Sequence, residues 1–343
     1  MIRKYTGEME AGLRDFLARQ SDANYAHDPA WLGVIRSVYG KNAHAFVWQE
    51  EPGGPVRGVA PAAILAGPMG RKLVCLPYLD YGGPLAETPE IARALLEALV
   101  SEARALKARL EIRSLHALPG LPAPSNEKVA MILTLRDGDH EAYWKSLDAK
   151  VRNQVRKAEK SAVKVIWGRE DRLEDFYRVF CVNMRDLGSP THSRRLFEEV
   201  LKGFPGAEIG AAYREGRCIG GLFRIHWKDA LVIPWASTLR EERIHSPNNA
   251  LYWESIRFAF EKGCSRVDFG RSSKDEGTYK FKKQWLAEER PLFWYPFDGE
   301  GKPEETVTHL ASGKLQWVRE VWCRMPLPLA NALGPVLRGH IPA

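Results

Sequence analysis

Apolar runs broken by glycine- and proline-rich turns occupy residues 44–78, and the same rhythm returns over residues 209–236. In the first stretch the runs His44–Gln49, Val56–Leu65 and Lys72–Tyr78 flank Glu51-Pro52-Gly53-Gly54-Pro55 and Gly67-Pro68-Met69-Gly70, which predicts a three-stranded meander. A helix is predicted over Pro89–Lys107, with Ile91, Leu95, Leu99 and Leu106 on one face, followed by a strand over Leu110–Leu115. The second stretch repeats the order. Ile209–Tyr213, Cys218–Trp227 and Ala230–Ala236 are joined by Arg214-Glu215-Gly216-Arg217 and Lys228-Asp229, then follow a helix over 247–262 and a strand over Arg266–Phe269. Both halves therefore run β-β-β-α-β, as two copies of one domain would.

Helices are also predicted over residues 8–20, 28–39, 139–160, 170–186 and 193–204, with an apolar strand over Glu127–Leu135. Arg136-Asp137-Gly138-Asp139 marks a boundary. The expected division is a domain over residues 1–135, a second over 136–314 and an apolar tail over 315–343. The expected class is α+β (mixed α/β), each domain a mixed, mostly antiparallel sheet flanked by helices.

A chain of 343 residues, 45% hydrophobic and 27% charged, has the balance of a soluble globular enzyme and the length of about two domains or one large one. No apolar run approaches the ~18 residues of a membrane span, and Met1-Ile2-Arg3-Lys4-Tyr5 opens no secretory leader. A cytoplasmic location is expected. Five cysteines lacking any C-x-x-C pair are expected as reduced thiols, and no metal site is expected. The net charge of +7 is compatible with anionic substrates and gives no reason to expect sequence-specific DNA as a partner. Fifteen basic and fourteen acidic residues precede residue 136, so the excess charge belongs to the second half.

Three constellations there carry candidate chemistry. On a helix, Val151, Val155, Ala158 and Ala162 make a buried stripe and set Arg152, Arg156 and Lys160 on an adjacent face, with Lys157 nearby. That face is either a solvated basic surface or a grip for phosphate oxygens. Ser246-Pro247-Asn248-Asn249 predicts a capped helix start near Arg240 and Arg243, where backbone N–H groups can receive an anion. Asp268-Phe269-Gly270-Arg271-Ser272 ends a strand, and Gly277-Thr278-Tyr279-Lys280-Phe281-Lys282-Lys283-Gln284-Trp285 follows it. Lys282 there could hold a cation where oxyanion charge develops, while the ordinary alternative places the aromatics in a core and the lysines in solvent. Tyr78, Asp80, Tyr81, Gly82 and Gly83 line either a cleft or a tight structural turn, and Arg185 lies at a helix end that Gly188 and Pro190 stop. His245 and Asp268 are candidate bases. There is no G-x-S-x-G, P-loop, G-x-G-x-x-G or H-E-x-x-H motif.

The helix Arg152–Lys160, Asn183-Met184-Arg185-Asp186-Leu187-Gly188, Pro234-Trp235-Ala236-Ser237, Pro247–Trp253 with Asn248, Asn249 and Tyr252, Asp268–Ser272 and Phe281–Trp285 together resemble the FemAB-related family. Its members include proteins of exosortase and exopolysaccharide systems, within the Fem superfamily of peptidoglycan bridge-forming transferases. The resemblance implies tandem GNAT-like (acyl-CoA N-acyltransferase-like) domains and transfer of an acyl or aminoacyl group to an amine. No bound cofactor is implied; the donor is acyl-CoA or aminoacyl-tRNA. It also implies that Phe281 and Lys282 form the family's Phe-Lys pair. Leu286 stands where the family has glycine.

The expected activity is acyl transfer to an amine-bearing envelope, peptidoglycan or exopolysaccharide precursor, with a catalytically silent tandem-GNAT scaffold for an anionic glycan or lipid-linked precursor as the alternative. Leu315, Trp317, Val318, Val321, Trp322 and Met325 make a Trp-bearing stripe in the tail. It is expected to pack back on the protein; the alternative is peripheral contact with the inner membrane.

Overall fold

The computed structural model describes residues 1–67, 70–121, 128–135, 139–304 and 313–341, without the side chains of 313–316. The expected turn residues Pro68 and Met69, the strand start Glu127, the boundary residues Arg136, Asp137 and Gly138, and the side chain of Leu315 lie outside the described set. The chain opens with β1 (Ile2–Lys4), α1 (Glu10–Arg19), α2 (Ala30–Tyr39) and the meander β2 (Asn42–Gln49), β3 (Val56–Gly67) and β4 (Gly70–Val74). Then come β5 (Leu85–Ala86), α3 (Pro89–Ala105), β6 (Arg109–Ser114) and β7 (Lys128–Thr134). Next are α4 (His140–Ser146), α5 (Ala149–Lys160), β8 (Lys164–Gly168), α6 (Glu170–Asp186) and α7 (Arg194–Gly203), ahead of the second meander, β9 (Ala207–Arg214), β10 (Arg217–Trp227) and β11 (Ala230–Thr238). α8 (Pro247–Glu261), β12 (Arg266–Ser273), α9 (Gly277–Lys283), β13 (Glu288–Pro291), β14 (Phe293–Phe297), α10 (Gly313–Cys323) and α11 (Leu327–Arg338) complete it.

One sheet runs β1-β2-β3-β4-β6-β14 with β5 against β3, and the other runs β13-β7-β12-β11-β10-β9-β8. The class is mixed α/β, with the repeat present strand for strand. Each meander is antiparallel, and each crossover helix returns the chain parallel to the last meander strand, β6 on β4 and β12 on β11. α3 forms because Thr88 accepts from the Ile91 N–H and Pro89 takes the first helical position, which turns Ile91, Leu95 and Leu99 into the first core.

The outer strands do not follow chain order. β14 pairs antiparallel with β6, Tyr295 opposite Ile112, whereas β7, which directly follows β6, lies beside β12. One unit therefore comprises the described residues of Met1–Lys128, Pro291–Thr308 and Gly339–Ala343, and the other those of Val129–Arg290 and His309–Arg338. This partition differs from single cuts at 135 and 314, because periodicity marks a strand without naming its partner. The single helix expected over 139–160 is two. Leu147 is buried and the Asp148 carboxylate accepts from the Lys150 N–H at 2.6 Å, so the chain turns between α4 and α5. Ala162 leaves the expected stripe, since α5 ends at Lys160 and Val163 is buried instead.

In the first unit β4 and β6 pair through Val74 and Glu111 and then part, and the loop 75–83 fills the gap. Cys75 N donates to Glu111 O (3.0 Å) and Gly82 N to Arg113 O (3.1 Å). The Arg113 guanidinium, only 1% exposed, donates to Leu79 O at 2.8 Å and through Nε to Glu111 at 2.7 Å. Burial pushes the Glu111 carboxyl up, but the Arg113 and Lys72 charges overcome this and hold it at about 2. A Cβ on Gly83 would lie 2.8 Å from Arg113 O, so the glycine admits the chain's own backbone. This corrects the cleft expected at Tyr78 and Tyr81. Tyr81 is fully buried against Tyr25, and Tyr78 packs its ring on Tyr39 and donates to Gly339 O at 3.0 Å.

His27 locks this plug. Its Nδ1 accepts from Asn24 N at 3.2 Å, so its Nε2 carries the proton and donates to Gly83 O at 3.1 Å. Burial lowers its pKa from 6.5 to about 4. The unfolded chain thus binds a proton between those values that the folded chain refuses, and stability is lost as pH falls from 6.5 toward 4. The expected loss is ~3 kcal/mol. His192 in the second unit, also depressed by burial and by Arg338, acts with the same sign. Urea midpoints across pH 7 to 4 check this; an equally steep fall in His27→Gln would remove His27 as its source.

Candidate functional site

The second unit contains the matching split, and among the described residues no loop is hydrogen-bonded between its strands as 75–83 is in the first. β11 and β12 pair in parallel only through Ala230 with Arg266, Leu231 with Val267 and Val232 with Asp268. On its other edge β11 shifts register, Phe223 facing Trp235 and Ile225 facing Val232, so one extra residue forms a bulge at Ile233–Pro234. Pro234 has no N–H for a ladder, and it stands where β11 leaves its neighbour. Pro234, Trp235 and Ala236 are partly exposed beyond that point.

α8 begins close to the end of β11. Ser246 was expected to cap it, but its backbone is left-handed (φ 56°) and its hydroxyl donates 2.6 Å to Gln154 of α5. Tertiary pairing takes the cap away. Asn248 accepts from the Thr238 hydroxyl, which ties the helix start to the end of β11. Asn249 is 8% exposed, and its Nδ2 has no partner among the described residues; the same holds for the buried Ser272 hydroxyl on β12. Two buried polar side chains, one at the start of α8 and one on β12, thus have an atom without a hydrogen-bond partner among the described residues.

The other wall is built by local backbone chemistry. The Asp268 carboxylate accepts from Gly270 N at 2.8 Å, and Gly270 takes a left-handed φ of 70°. That turn presents two carbonyls to Lys282, whose Nζ donates to Gly270 O at 3.2 Å and Arg271 O at 2.7 Å. Lys282 is buried, unlike Lys280 and Lys283, which reach solvent. Beside it Phe281 meets Tyr252 edge-on at 4.9 Å, and burial pushes the Tyr252 phenol up. Tyr279 donates to Glu289 and accepts from Lys283 at 3.1 Å, which fixes α9 from below. Asp268 is 5% exposed and braces the Gly270 turn, a positioning geometry.

The structure therefore groups Lys282, Phe281, Asp268, Arg271, Ser272 and Tyr252 on and around β12, with Asn248 and Asn249 at the start of α8, while Trp235 of β11 packs its ring edge-on against Phe197 (5.1 Å) and Phe223 (5.3 Å). Other candidates stand apart. Arg152 donates to the carbonyls of Lys145 and Leu147 and so closes the end of α4, which corrects its expected place in an anion grip. Arg156 lies 5.7 Å from the Trp144 ring, and it lines a shallow groove of about 310 Å³ with Trp253 and Arg257. Lys157 is exposed. Arg185 is held by Asp186 at 2.7 and 3.0 Å. His245 is 3.9 Å from Glu242. Leu286 has a φ of 61°, the physical reason a glycine suits that position. Among the described residues no cluster of His, Cys, Asp and Glu could hold a metal.

A parallel pair that opens after three residues, a bulged strand and a helix start over the opening decide the likeness. Residues 145–283 match the acetyltransferase (GNAT) domain family. The fold of the tandem GNAT-like chain matches solved structures at low identity. FemX superposes with a TM-score of 0.66 at 15% identity, over 85% of this chain and 96% of that one. The C-terminal domain of a putative lysylphosphatidylglycerol synthetase from Agrobacterium fabrum gives 0.56 at 13%, over 84% and 90%. A tandem GNAT protein from the clavulanic acid biosynthesis pathway gives 0.55 at 13%, over 87% and 99%. No curated protein matches the sequence. The GNAT match begins in α4 and ends with Lys283, so it takes in both walls of the second split.

Of this site, sequence alone misses the bulge, the lost cap and the pairing of Lys282 with backbone carbonyls. Pro234 was the available signal, since proline inside a central parallel strand marks a break in pairing.

Proposed function

We propose that the second unit transfers an acyl or aminoacyl group to an amine on a cell-envelope, peptidoglycan or exopolysaccharide precursor. The observation that carries the proposal is the β11–β12 pairing that ends after three residues, with a buried lysine held on the β12 side. The donor, acyl-CoA or aminoacyl-tRNA, would place its phosphates toward the start of α8 and toward Arg271, with Arg156 and Lys157 farther along α5. The acceptor nitrogen attacks the acyl carbonyl carbon. As the C–N bond forms, the carbonyl oxygen gains charge beside the Lys282 ammonium, and the C–S or C–O bond to the donor then breaks. The leaving thiolate or alkoxide takes up the proton that the amine gives up. Phe281 and Tyr252 border the acyl position, and Asp268 holds the turn that seats Lys282. Both donors are cytoplasmic metabolites, and the protein is placed with them.

Intact-mass measurement of amine-bearing precursors incubated with the protein and each donor in turn tests this. The expected result is a mass gain equal to one acyl or aminoacyl group, dependent on a donor. A precursor that binds but gains no mass with any donor would support a second reading. In that reading the protein is a silent scaffold for an anionic glycan or lipid-linked precursor, and the two carbonyls on Lys282 make it a structural brace.

A further inference from the structure

The last two helices carry their apolar residues the wrong way round for a docked tail. On α11, Ala330 and Gly334 face the protein, while Leu329, Leu333, Val336 and Leu337, spaced i, i+4, i+7 and i+8, are exposed. On α10, Trp322 is buried and Cys323 donates to Asp186 O at 3.5 Å, while Trp317 (65% exposed), Val318 and Val321 face outward. Arg319 is anchored to Leu187 O at 3.0 Å and Arg338 to His192 at 3.1 Å, so both helices are fixed on the second unit. The expected packing of the Trp-bearing stripe is thus half fulfilled: one thin side docks and the bulky side does not.

We infer that this face lies on the surface of an anionic lipid bilayer. Helices of 11 and 12 residues reach roughly 17 Å, well short of a bilayer core of about 30 Å, so they lie along a membrane rather than across it. Lys314, Arg319, Arg324 and Arg338 stand against the one acid Glu320 between residues 313 and 341, a charge balance that complements anionic headgroups and disfavours a like-charged second copy. An exposed tryptophan, Trp317, beside the exposed aliphatic Val318 and Val321 suits the water–hydrocarbon boundary. The inference stands apart from the transfer chemistry, because it needs neither donor nor acceptor.

The test is sedimentation of the full chain with phosphatidylcholine vesicles and with vesicles containing one third phosphatidylglycerol. Binding to the anionic vesicles is expected, falling several-fold when salt is raised from 50 to 300 mM. Leu333→Ser with Leu337→Ser, and separately Trp317→Ser with Val318→Ser, should each lower it by about tenfold or more. Circular dichroism confirms the fold of both variants, which alter exposed positions. Absence of binding, or binding that both variants retain, overturns the inference. So does equal binding to neutral vesicles, or a concentration-dependent dimer that the variants abolish, which would assign the face to a second copy.

Discussion

Lys282→Met is expected to slow acyl transfer by about 10²–10³-fold, the usual effect of deleting a single group aimed at a developing oxyanion. The substitution keeps the stem that lies against α9 and β12 and removes only the charge and its N–H groups. Its second effect is on stability. Gly270 O and Arg271 O lose their shared donor, and a buried carbonyl left without one costs about 1–3 kcal/mol. The two effects are separable. Donor and acceptor affinity should change little, so the loss appears in kcat rather than KM. Lys282→Arg should recover some stability yet little rate, because a planar guanidinium can donate to the two carbonyls but does not set a compact ammonium at the same point. A folded Lys282→Met that transfers within threefold of the parent rate would confine Lys282 to bracing. Asp268→Asn gives the matching control for position: its amide oxygen can still accept from Gly270 N, and most of the rate should survive.

Tyr295→Ala combined with Phe297→Ala should unfold the first unit, although both residues follow α9 and β13 of the second unit in the chain. The two rings are 5% and 3% exposed and belong to the core formed by α3, β4 and β6. Truncating a buried aromatic costs about 3–5 kcal/mol, and two together approach the 5–15 kcal/mol that holds an ordinary domain. Tyr295 also accepts from Leu118 N at 3.1 Å, a bond lost with the ring. Hydrogen exchange followed by mass spectrometry on the full chain reads the outcome. Protection should vanish from β2, β3 and β6 while β9, β10 and β12 keep theirs. Even loss across both sheets, or loss confined to β9–β12, would sink the assignment of β14 to the first unit.

How much of this was legible depends on whether the information is local. The two meanders are visible because strand alternation and the glycine–proline turns lie within a dozen residues of one another. Thr88-Pro89 caps α3 as its local pattern demands. Ser246-Pro247 offers the same local pattern and fails, because Gln154, 92 positions earlier, competes for the hydroxyl. β14 was hidden for the same reason. Phe293-Trp294-Tyr295-Pro296-Phe297 can be a strand only at a sheet edge, where Pro296 needs no second partner, and that edge is Arg109–Ser114, far back in the chain. At the candidate site the sequence left Lys282 either as a cation beside a developing oxyanion or as one more solvent-facing lysine, and the resemblance added its pairing with Phe281. Spacing could not choose between those readings, because it is the Asp268–Gly270 turn, with its two carbonyls, that draws this lysine inside.

Arg113 has a consequence for arithmetic at the level of turnover. Duplicating a transferase fold yields two reaction centres per polypeptide by default. Here the split of the first unit is filled by the chain's own guanidinium and the loop it holds, so under the proposed activity a single molecule is expected to bind one donor and titrate with a stoichiometry of one.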